Sequence, residues 1–116
     1  MNSLVLSNDF SSSQLVSENA TPQNFYPDMT VTEDGTIYVI WVNTTGGGDI
    51  YFSKSTDHGV TFSEYVAVNQ SPNHASSIGF SGPKIAERND TLHVLWADQR
   101  NGYDHTSAFY ARSVDQ

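Results

Sequence analysis

The sequence contains no cysteine and few basic residues. The absence of cysteine excludes disulfides and thiolate metal sites, and it gives no information about the redox compartment. Thirteen acidic residues stand against five basic ones, so the formal net charge is −8. Nucleic acids and anionic membrane surfaces are bound through basic patches, and this charge therefore argues against both. It fits a protein that binds neutral or cationic ligands.

The chain also lacks a long apolar run. No stretch approaches the roughly 20 residues of a membrane span, so we expect no membrane insertion. The apolar run at residues 4–6 is shorter than the core of a signal peptide. Four glycosylation sequons lean toward an exported, extracellular or cell-surface protein; they begin at Asn19, Asn43, Asn69 and Asn89. The length of 116 residues corresponds to one domain.

Strand patterns are strong and helical periodicity is weak. The runs rich in β-branched and aromatic residues predict strands at 36–42, 49–53, 64–68, 91–97 and 107–112. Clusters of Gly, Asn, Asp and Pro separate them, at 33–35, 44–48, 71–74, 88–90 and 99–102. Short strands at regular spacing predict an all-β sandwich, barrel or propeller.

An internal repeat favours the propeller. T-I-Y-V-I-W-V-N (36–43) matches T-L-H-V-L-W-A-D (91–98), and I-Y-F-S-K-S-T-D (50–57) matches A-F-Y-A-R-S-V-D (108–115). The repeat has the size of a four-stranded meander, which is one propeller blade. We expect residues 1–18 to complete a blade, residues 19–70 to form a first full blade, and residues 71–116 to form a second.

Ser55 to Phe62, S-T-D-H-G-V-T-F, resembles the Asp-box of bacterial neuraminidase repeats, S-x-D-x-G-x-T-[W/F]. The later W-A-D-Q-R-N-G is similar to a loop of sialidase-like propellers. The resemblance implies a hairpin between the third and fourth strands of a blade. The box residues are then architectural rather than catalytic; they are Ser55, Asp57, Gly59, Thr61 and Phe62. Asp57 accepts backbone N–H bonds in its own turn, and Gly59 supplies unusual backbone angles.

The resemblance also implies where ligands bind. In sialidases they bind the face opposite the Asp-box, which here carries residues 42–49, 69–81 and 97–106. A sialidase needs an arginine cluster, a Tyr–Glu pair and an acid–base Asp. Of the three arginines, Arg88 belongs to a turn on the back face and Arg112 to a strand position generic to the repeat. Only Arg100 is expected at the ligand face, so we predict no catalytic residues.

The ligand-face loop offers candidates for binding instead. Carbohydrate sites combine an aromatic ring with a few convergent polar groups. The predicted ligand-binding residues are Asp98, Arg100, Tyr103, Asp104, His105 and His74. The competing interpretation is a polar loop clamped by Arg100 with Asp98 or Asp104. The four histidines do not fall at metal-ligand spacings, and no acidic loop has a calcium-binding pattern, so no metal and no cofactor are expected.

Two blades alone leave large apolar faces exposed, and such faces mark association surfaces. Residues 8–18 resemble residues 61–69, so the N-terminal segment of one copy is able to complete the last blade of another. Three copies would then close a six-bladed ring. A fragment of a longer propeller is the other explanation.

The sequence therefore favours a non-catalytic sialidase-like propeller module for surface binding or scaffolding, with self-association and glycans as partners. A fragment or subunit of an exo-sialidase or related glycoside hydrolase stays open. So does a purely structural repeat of a cell-surface assembly.

Overall fold

The structure is a computed structural model that describes residues 10–17, 20–70, 72, 75, 82–102 and 106–114. It confirms the all-β prediction, because the strands form two antiparallel sheets and the only helical element is a 3₁₀ turn at Thr45–Gly47 in the described part of the chain. Among the residues that the structure describes, no helix has the length and apolar character that crossing a membrane requires. The predicted domain boundaries stay a prediction.

The first sheet has four strands in the order of the chain. They are β1 (Asn24–Val31), β2 (Ile37–Asn43), β3 (Asp49–Ser55) and β4 (Val66–Ala67). The strand predicted at 64–68 is shorter than expected. Ahead of it the chain contacts β3 through one serine instead of a ladder: the Ser63 N–H donates to the Lys54 carbonyl at 2.8 Å, and the Lys54 N–H donates to Ser63 Oγ at 3.1 Å.

The second sheet has three strands within the described residues, also in the order of the chain. They are β5 (Lys84–Arg88), β6 (Thr91–Asp98) and β7 (Ser107–Ser113). The placement of Arg88 in a turn was wrong, because it is the last residue of β5 and pairs with Thr91. The turn itself is confined to Asn89 and Asp90, which both have positive φ and so reverse the chain in two residues.

The core lies between the two sheets. The inner face of the four-stranded sheet presents Tyr38, Ile40 and Val42 of β2, and the facing side of β6 presents Leu92, Val94 and Trp96. Each such side chain, once fully buried, contributes roughly 1.5–3 kcal/mol. β2 is buried on both faces, as its continuous apolar sequence indicates for a strand enclosed by neighbours.

The outer face of the four-stranded sheet carries Val39 and Trp41, and it is covered by residues 14–17. Gln14 and Val16 line a shallow cavity together with these two side chains, and Trp41 is only 3% exposed. The Gln14 side-chain amide donates to the Val60 carbonyl at 2.8 Å. Residues 10–17 therefore pack across the outer face without forming a strand there.

The two sheets also meet along β1 and β5, the first strand of each. The Ile85 N–H donates to Asp28 Oδ2 at 2.9 Å. Asp28 follows an irregularity in the β1 ladder after Phe25, which frees its side chain to reach the neighbouring strand. The segments that correspond in the repeat, 26–29 and 82–85, thus lie side by side.

Both sheets share the same two ends. The hairpin end carries the turn at 32–36, the hairpin at 56–65 and the turn at 89–90, and residues from all three line one cavity. The loop end carries the ends of β2 and β6 at Asn43 and Asp98. Ala75 joins the sheets there, because its N–H donates to the Gly48 carbonyl at 3.0 Å and it forms a β-bridge with Asp98.

Candidate functional site

The loop end is the predicted ligand face, and Asp98 is its most buried charged group. The side chain has 0% exposure and closes β6. Its two oxygens accept four hydrogen bonds: at 2.8 Å from the Arg100 N–H, at 2.9 Å from Arg100 Nε, at 3.1 Å from Arg100 Nη2 and at 3.1 Å from Trp96 Nε1. Burial by itself raises the pKa of Asp98, but these donors outweigh it and hold the pKa below its ordinary value.

Arg100 is held on two sides. Its guanidinium forms a two-pronged ion pair with Asp98, and its Cζ lies 3.8 Å from the centre of the Phe109 ring. The planar guanidinium suits both contacts, since it pairs with a carboxylate in its plane and stacks on an aromatic through its face. The hydrogen bonds to Asp98 raise the pKa of Arg100. The Arg100 side chain keeps 29% of its surface exposed, so the Asp98–Arg100 pair, here called the clamp, lies at the protein surface.

The same turn occurs at the equivalent position of the first repeat. There the Thr45 N–H donates to Asn43 Oδ1 at 3.1 Å, as the Arg100 N–H does to Asp98. In both repeats a side-chain oxygen at the end of the central strand accepts from the backbone two residues on, which is an Asx-turn. The geometry around Asp98 is therefore first a property of the fold.

A network of buried asparagines supports the loop end. Asn43 is 1% exposed, and its amide donates to the Thr21 carbonyl at 2.8 Å and to Asn24 Oδ1 at 2.7 Å. Asn24 Oδ1 also accepts from Trp41 Nε1 at 2.9 Å. The Asn69 side chain accepts from the Ile50 N–H at 2.7 Å. These residues rigidify the loops, because a buried hydrogen-bond network whose members have their partners fixes the segments that it joins.

Sequence reasoning missed this network, although a signal for it was present. In both matched runs, W-V-N (41–43) and W-A-D (96–98), a polar residue stands two positions after a tryptophan. Two of the asparagines, Asn43 and Asn69, are also sequon positions, and both are buried. Asn89 is the exposed sequon asparagine in the described part of the chain.

The structure brings together Asp98 and Arg100 from the predicted ligand-binding set. The remaining four predicted residues, Tyr103, Asp104, His105 and His74, lie outside the described residues. Three exposed neutral residues belong to the loops of this end: Thr45 in the first loop, and Asn101 and Thr106 in the second. Among the described residues of the loop end, Asp98 and Arg100 form an ion pair that is neutral overall.

The hairpin end contains the predicted architectural residues. Asp57 accepts from the Thr61 hydroxyl at 2.5 Å, from the Thr61 N–H at 2.9 Å and from the Ser55 hydroxyl at 2.7 Å. These bonds, the Thr61 hydroxyl foremost, lower the pKa of Asp57 from 3.8 to about 2. Ser55 Oγ in turn accepts from the Gly59 N–H at 2.9 Å, and Gly59 has a φ of 89°.

Phe62 and His58 complete the hairpin. Phe62 is partly buried, and it borders a cavity that Gln14 and Leu15 also line. His58 is exposed, but its ring lies against the neighbouring turn, where a Cβ on Gly35 would stand 2.8 Å from it. Both carboxylate oxygens of Asp57 thus accept hydrogen bonds from its own turn, which engages the side chain in local structure.

No metal site accompanies either end. Over the residues that the structure describes, no three His, Cys, Asp or Glu side chains come close enough together to hold a metal ion. The hairpin end does gather Glu33, Asp34, Glu87 and Asp90 around one cavity. Two of these carboxylates are engaged in their own turns: Asp34 Oδ1 accepts from the Thr36 N–H at 3.1 Å, and Glu87 Oε2 accepts from the Asp90 N–H at 3.0 Å.

No protein-family model matches the chain, and no curated protein matches it. The resemblance to Asp-box proteins stays a prediction from the sequence motifs.

Proposed function

We propose that this chain is a non-catalytic, sialidase-like propeller module that binds or scaffolds at surfaces, with carbohydrate as its ligand class. The observation that supports this most directly is the engagement of Arg100. Its guanidinium is paired with the fully buried Asp98 and stacked on Phe109, so the ion pair is already neutral. A sialidase uses free arginines to hold a substrate carboxylate.

The other arginines do not supply that role. Arg88 ends β5 at the hairpin end, and Arg112 is an exposed residue of β7. A tyrosine nucleophile needs a lowered pKa or an adjacent base. Burial instead raises the pKa of Tyr38, and burial followed by the neighbouring Tyr65 raises that of Tyr51. Both phenols therefore stay protonated at neutral pH.

The propeller architecture is the finer part of the proposal. Two sheets pack face to face, their first strands β1 and β5 lie next to each other, and the Asp-box hairpin lies at the opposite end from the binding loops. These relations support an arrangement of the two sheets as neighbouring blades around a common axis. Six blades, contributed by three copies, would close the ring and repeat each loop end three times. Repetition of a weak site raises the avidity for a multivalent surface.

Neutral glycans fit the loop end better than acidic ones. The net charge of −8 repels anionic ligands, and the clamp offers no free positive charge. The exposed side-chain amide of Asn101 suits sugar hydroxyls, which both donate and accept.

Two measurements test the function. A fluorogenic sialoside should show no turnover, and a glycan array should show binding to neutral glycans. Asn101→Ala should weaken array binding severalfold, whereas Thr56→Ala, an exposed residue of the hairpin end, should leave it unchanged. Turnover that Arg100→Lys abolishes would identify an exo-sialidase instead. An array without signal would favour a purely structural repeat.

A further inference from the structure

The two sheets present equivalent faces, and none of the residues that the structure describes covers one of these faces. Ile40 on the inner face of the four-stranded sheet is 0% exposed, because the second sheet packs on it. Its repeat equivalent, Leu95, is 49% exposed. Leu95 pairs with Tyr110, the equivalent of Phe52, and Tyr110 is 55% exposed. The face with Leu95 and Tyr110, here called the free face, thus corresponds to a face that packs against another sheet in the first repeat.

The repeat indicates which surface the free face would pack on: the outer face of the four-stranded sheet. Val39 and Trp41 of the outer face are the equivalents of Val94 and Trp96, which pack against the inner face within this chain. The contact inside the chain therefore supplies a template for a second contact, between the free face of one copy and the outer face of another. Such a head-to-tail contact uses two different surfaces and propagates from copy to copy.

The edge of β7 also corresponds to a position that is occupied in the first sheet. In that sheet β4 pairs with β3, with Phe52 opposite Val66 and Tyr51 opposite Ala67, and the Val68 N–H donates to the Ile50 carbonyl at 2.8 Å. In the described part of the chain β7 has a strand on one side only. Beside it lies a cleft of about 520 Å³ between the sheets, with an apolar lining that includes Val66, Val68, Leu92, Val94 and Ala111.

Residues 10–17 have the features of the missing strand. F-S at 10–11 matches F-S at 62–63, which places Gln14 at the position of Val66 and Leu15 at that of Ala67. Val16 packs near Val39 and Trp41 on the outer face, as Val68 packs near Val94 on the second sheet. Among the described residues, none of 10–16 forms a backbone hydrogen bond with a strand.

The orientation of this segment leaves one apolar side chain for a partner. Alternate residues of an extended chain point to opposite sides. Gln14 and Val16 face their own sheet, and Leu15 between them is 69% exposed. A strand added to β7 in the register of β4 turns Leu15 toward the cleft, where it meets the apolar lining.

We propose that residues 10–17 of one copy pair with β7 of a second copy, while the free face of the second copy packs on the outer face of the first. The register places Gln14 opposite Tyr110 and Leu15 opposite Phe109. This proposal rests on the propeller architecture put forward above. Three copies joined in this way contain six sheets and close a ring.

Disulfide trapping tests the register, because the chain has no cysteine of its own. Directly opposite residues of antiparallel strands have Cα atoms about 4.5–5.5 Å apart, within the range that a disulfide spans. Gln14→Cys with Tyr110→Cys should therefore form covalently linked copies under mild oxidation. Gln14→Cys with Ala108→Cys, on the same face of β7 but two residues away, is the matched control and should stay unlinked.

Solution mass tests the assembly. Light scattering should give about three times the 12.8 kDa of the chain. Leu15→Asp should shift the protein to a folded monomer, whereas Thr56→Asp, which adds the same charge at an exposed residue of the hairpin end, should leave the assembly intact. Circular dichroism of both variants checks that the strands persist.

A folded wild-type monomer at micromolar concentration, or equal trapping by the two cysteine pairs, would overturn the pairing. These outcomes are separable from those of the proposed function. A monomer that binds neutral glycans contradicts only the pairing, and an assembled ring that binds no glycan contradicts only the ligand class.

Discussion

Asp98 provides the sharpest test of whether the loop-end clamp is architecture. Asp98→Ala removes the acceptor of four hydrogen bonds at a site with 0% exposure. Arg100 is partly exposed and turns to water once its partner is gone. The indole N–H of Trp96 has no such escape, because that residue is only 6% exposed.

The expected loss follows from the groups left behind. A buried donor without an acceptor costs about 1–3 kcal/mol. Loss of the Asx-turn adds about 1 kcal/mol, by analogy with side-chain caps of backbone N–H groups. The free energy of unfolding should therefore fall by about 2–4 kcal/mol. For a domain of this size each kcal/mol lowers Tm by roughly 4 °C, which predicts a decrease of roughly 8–16 °C.

A compensated variant separates the turn from the charge. Asp98→Asn combined with Arg100→Thr copies the pair Asn43 and Thr45, which forms the same turn in the first repeat. The free energy of unfolding of this double variant should fall by less than about half of the decrease caused by Asp98→Ala, since an amide at this position again accepts a hydrogen bond from the backbone. Chemical denaturation followed by tryptophan fluorescence measures all three proteins.

The control is Glu33→Ala, which removes the same charge from an exposed residue at the hairpin end and should change stability by less than about 0.5 kcal/mol. The pKa of Asp98 is lowered in the folded state, so its contribution is present above its ordinary value of 3.8 and is lost as pH falls through the lower folded value. The difference in free energy of unfolding between wild type and Asp98→Ala should therefore become smaller at acidic pH. An Asp98→Ala protein as stable as Glu33→Ala at neutral pH refutes the clamp.

Three further predictions concern the frame of the molecule. Because Asp57 has a pKa of about 2 against an ordinary 3.8, its stabilisation is complete above about pH 4 and disappears as pH falls through about 2; Asp57→Asn should flatten this part of the urea-unfolding profile. Ile40→Ala should lower the free energy of unfolding by about 2–5 kcal/mol, and Val60→Ala by less than about 0.5 kcal/mol, in the same denaturation assay. Gly48→Ala, whose Cβ would lie 2.0 Å from the Ala75 carbonyl oxygen, should lower Tm more than Gly46→Ala. Both glycines have a positive φ, 117° at Gly48 and 77° at Gly46, but Gly46 is exposed.

The sequence predicted β2, β3, β6 and β7 because their signals are local, whereas β1 and β5 were not among the predicted strands. β-Branched and aromatic runs mark β2, β3, β6 and β7, and turn residues mark the ends of these strands. β4 was harder to predict, since its length depends on how Ser63 bonds Lys54 across the hairpin. The sequence of residues 64–68 alone does not indicate this hydrogen bond, because Ser63 and Lys54 both lie outside that segment.

The candidate site was harder to predict than the frame. The same letters, D-Q-R at 98–100, suit a ligand-binding arginine or an arginine held by an aspartate. The choice depends on Phe109, nine residues later, whose ring lies under the guanidinium. It also depends on the complete burial of Asp98, which results from the packing of Ala75 across the sheets. Neither contact has a signature in the local sequence.

The comparison of the two repeats explains why an arginine is present at all. At the end of β2 the turn acceptor is a neutral amide, Asn43, and the residue two positions on is Thr45. At the end of β6 the acceptor is a carboxylate with no exposure, and an unpaired carboxylate there would be strongly destabilising. Arg100 neutralises that charge, so its presence follows from Asp98 and requires no ligand. In the part of this end that the structure describes, a partner therefore meets the exposed Asn101 amide beside an ion pair that is already neutral. We propose a neutral glycan, and not an acidic sugar, as the ligand class to test first.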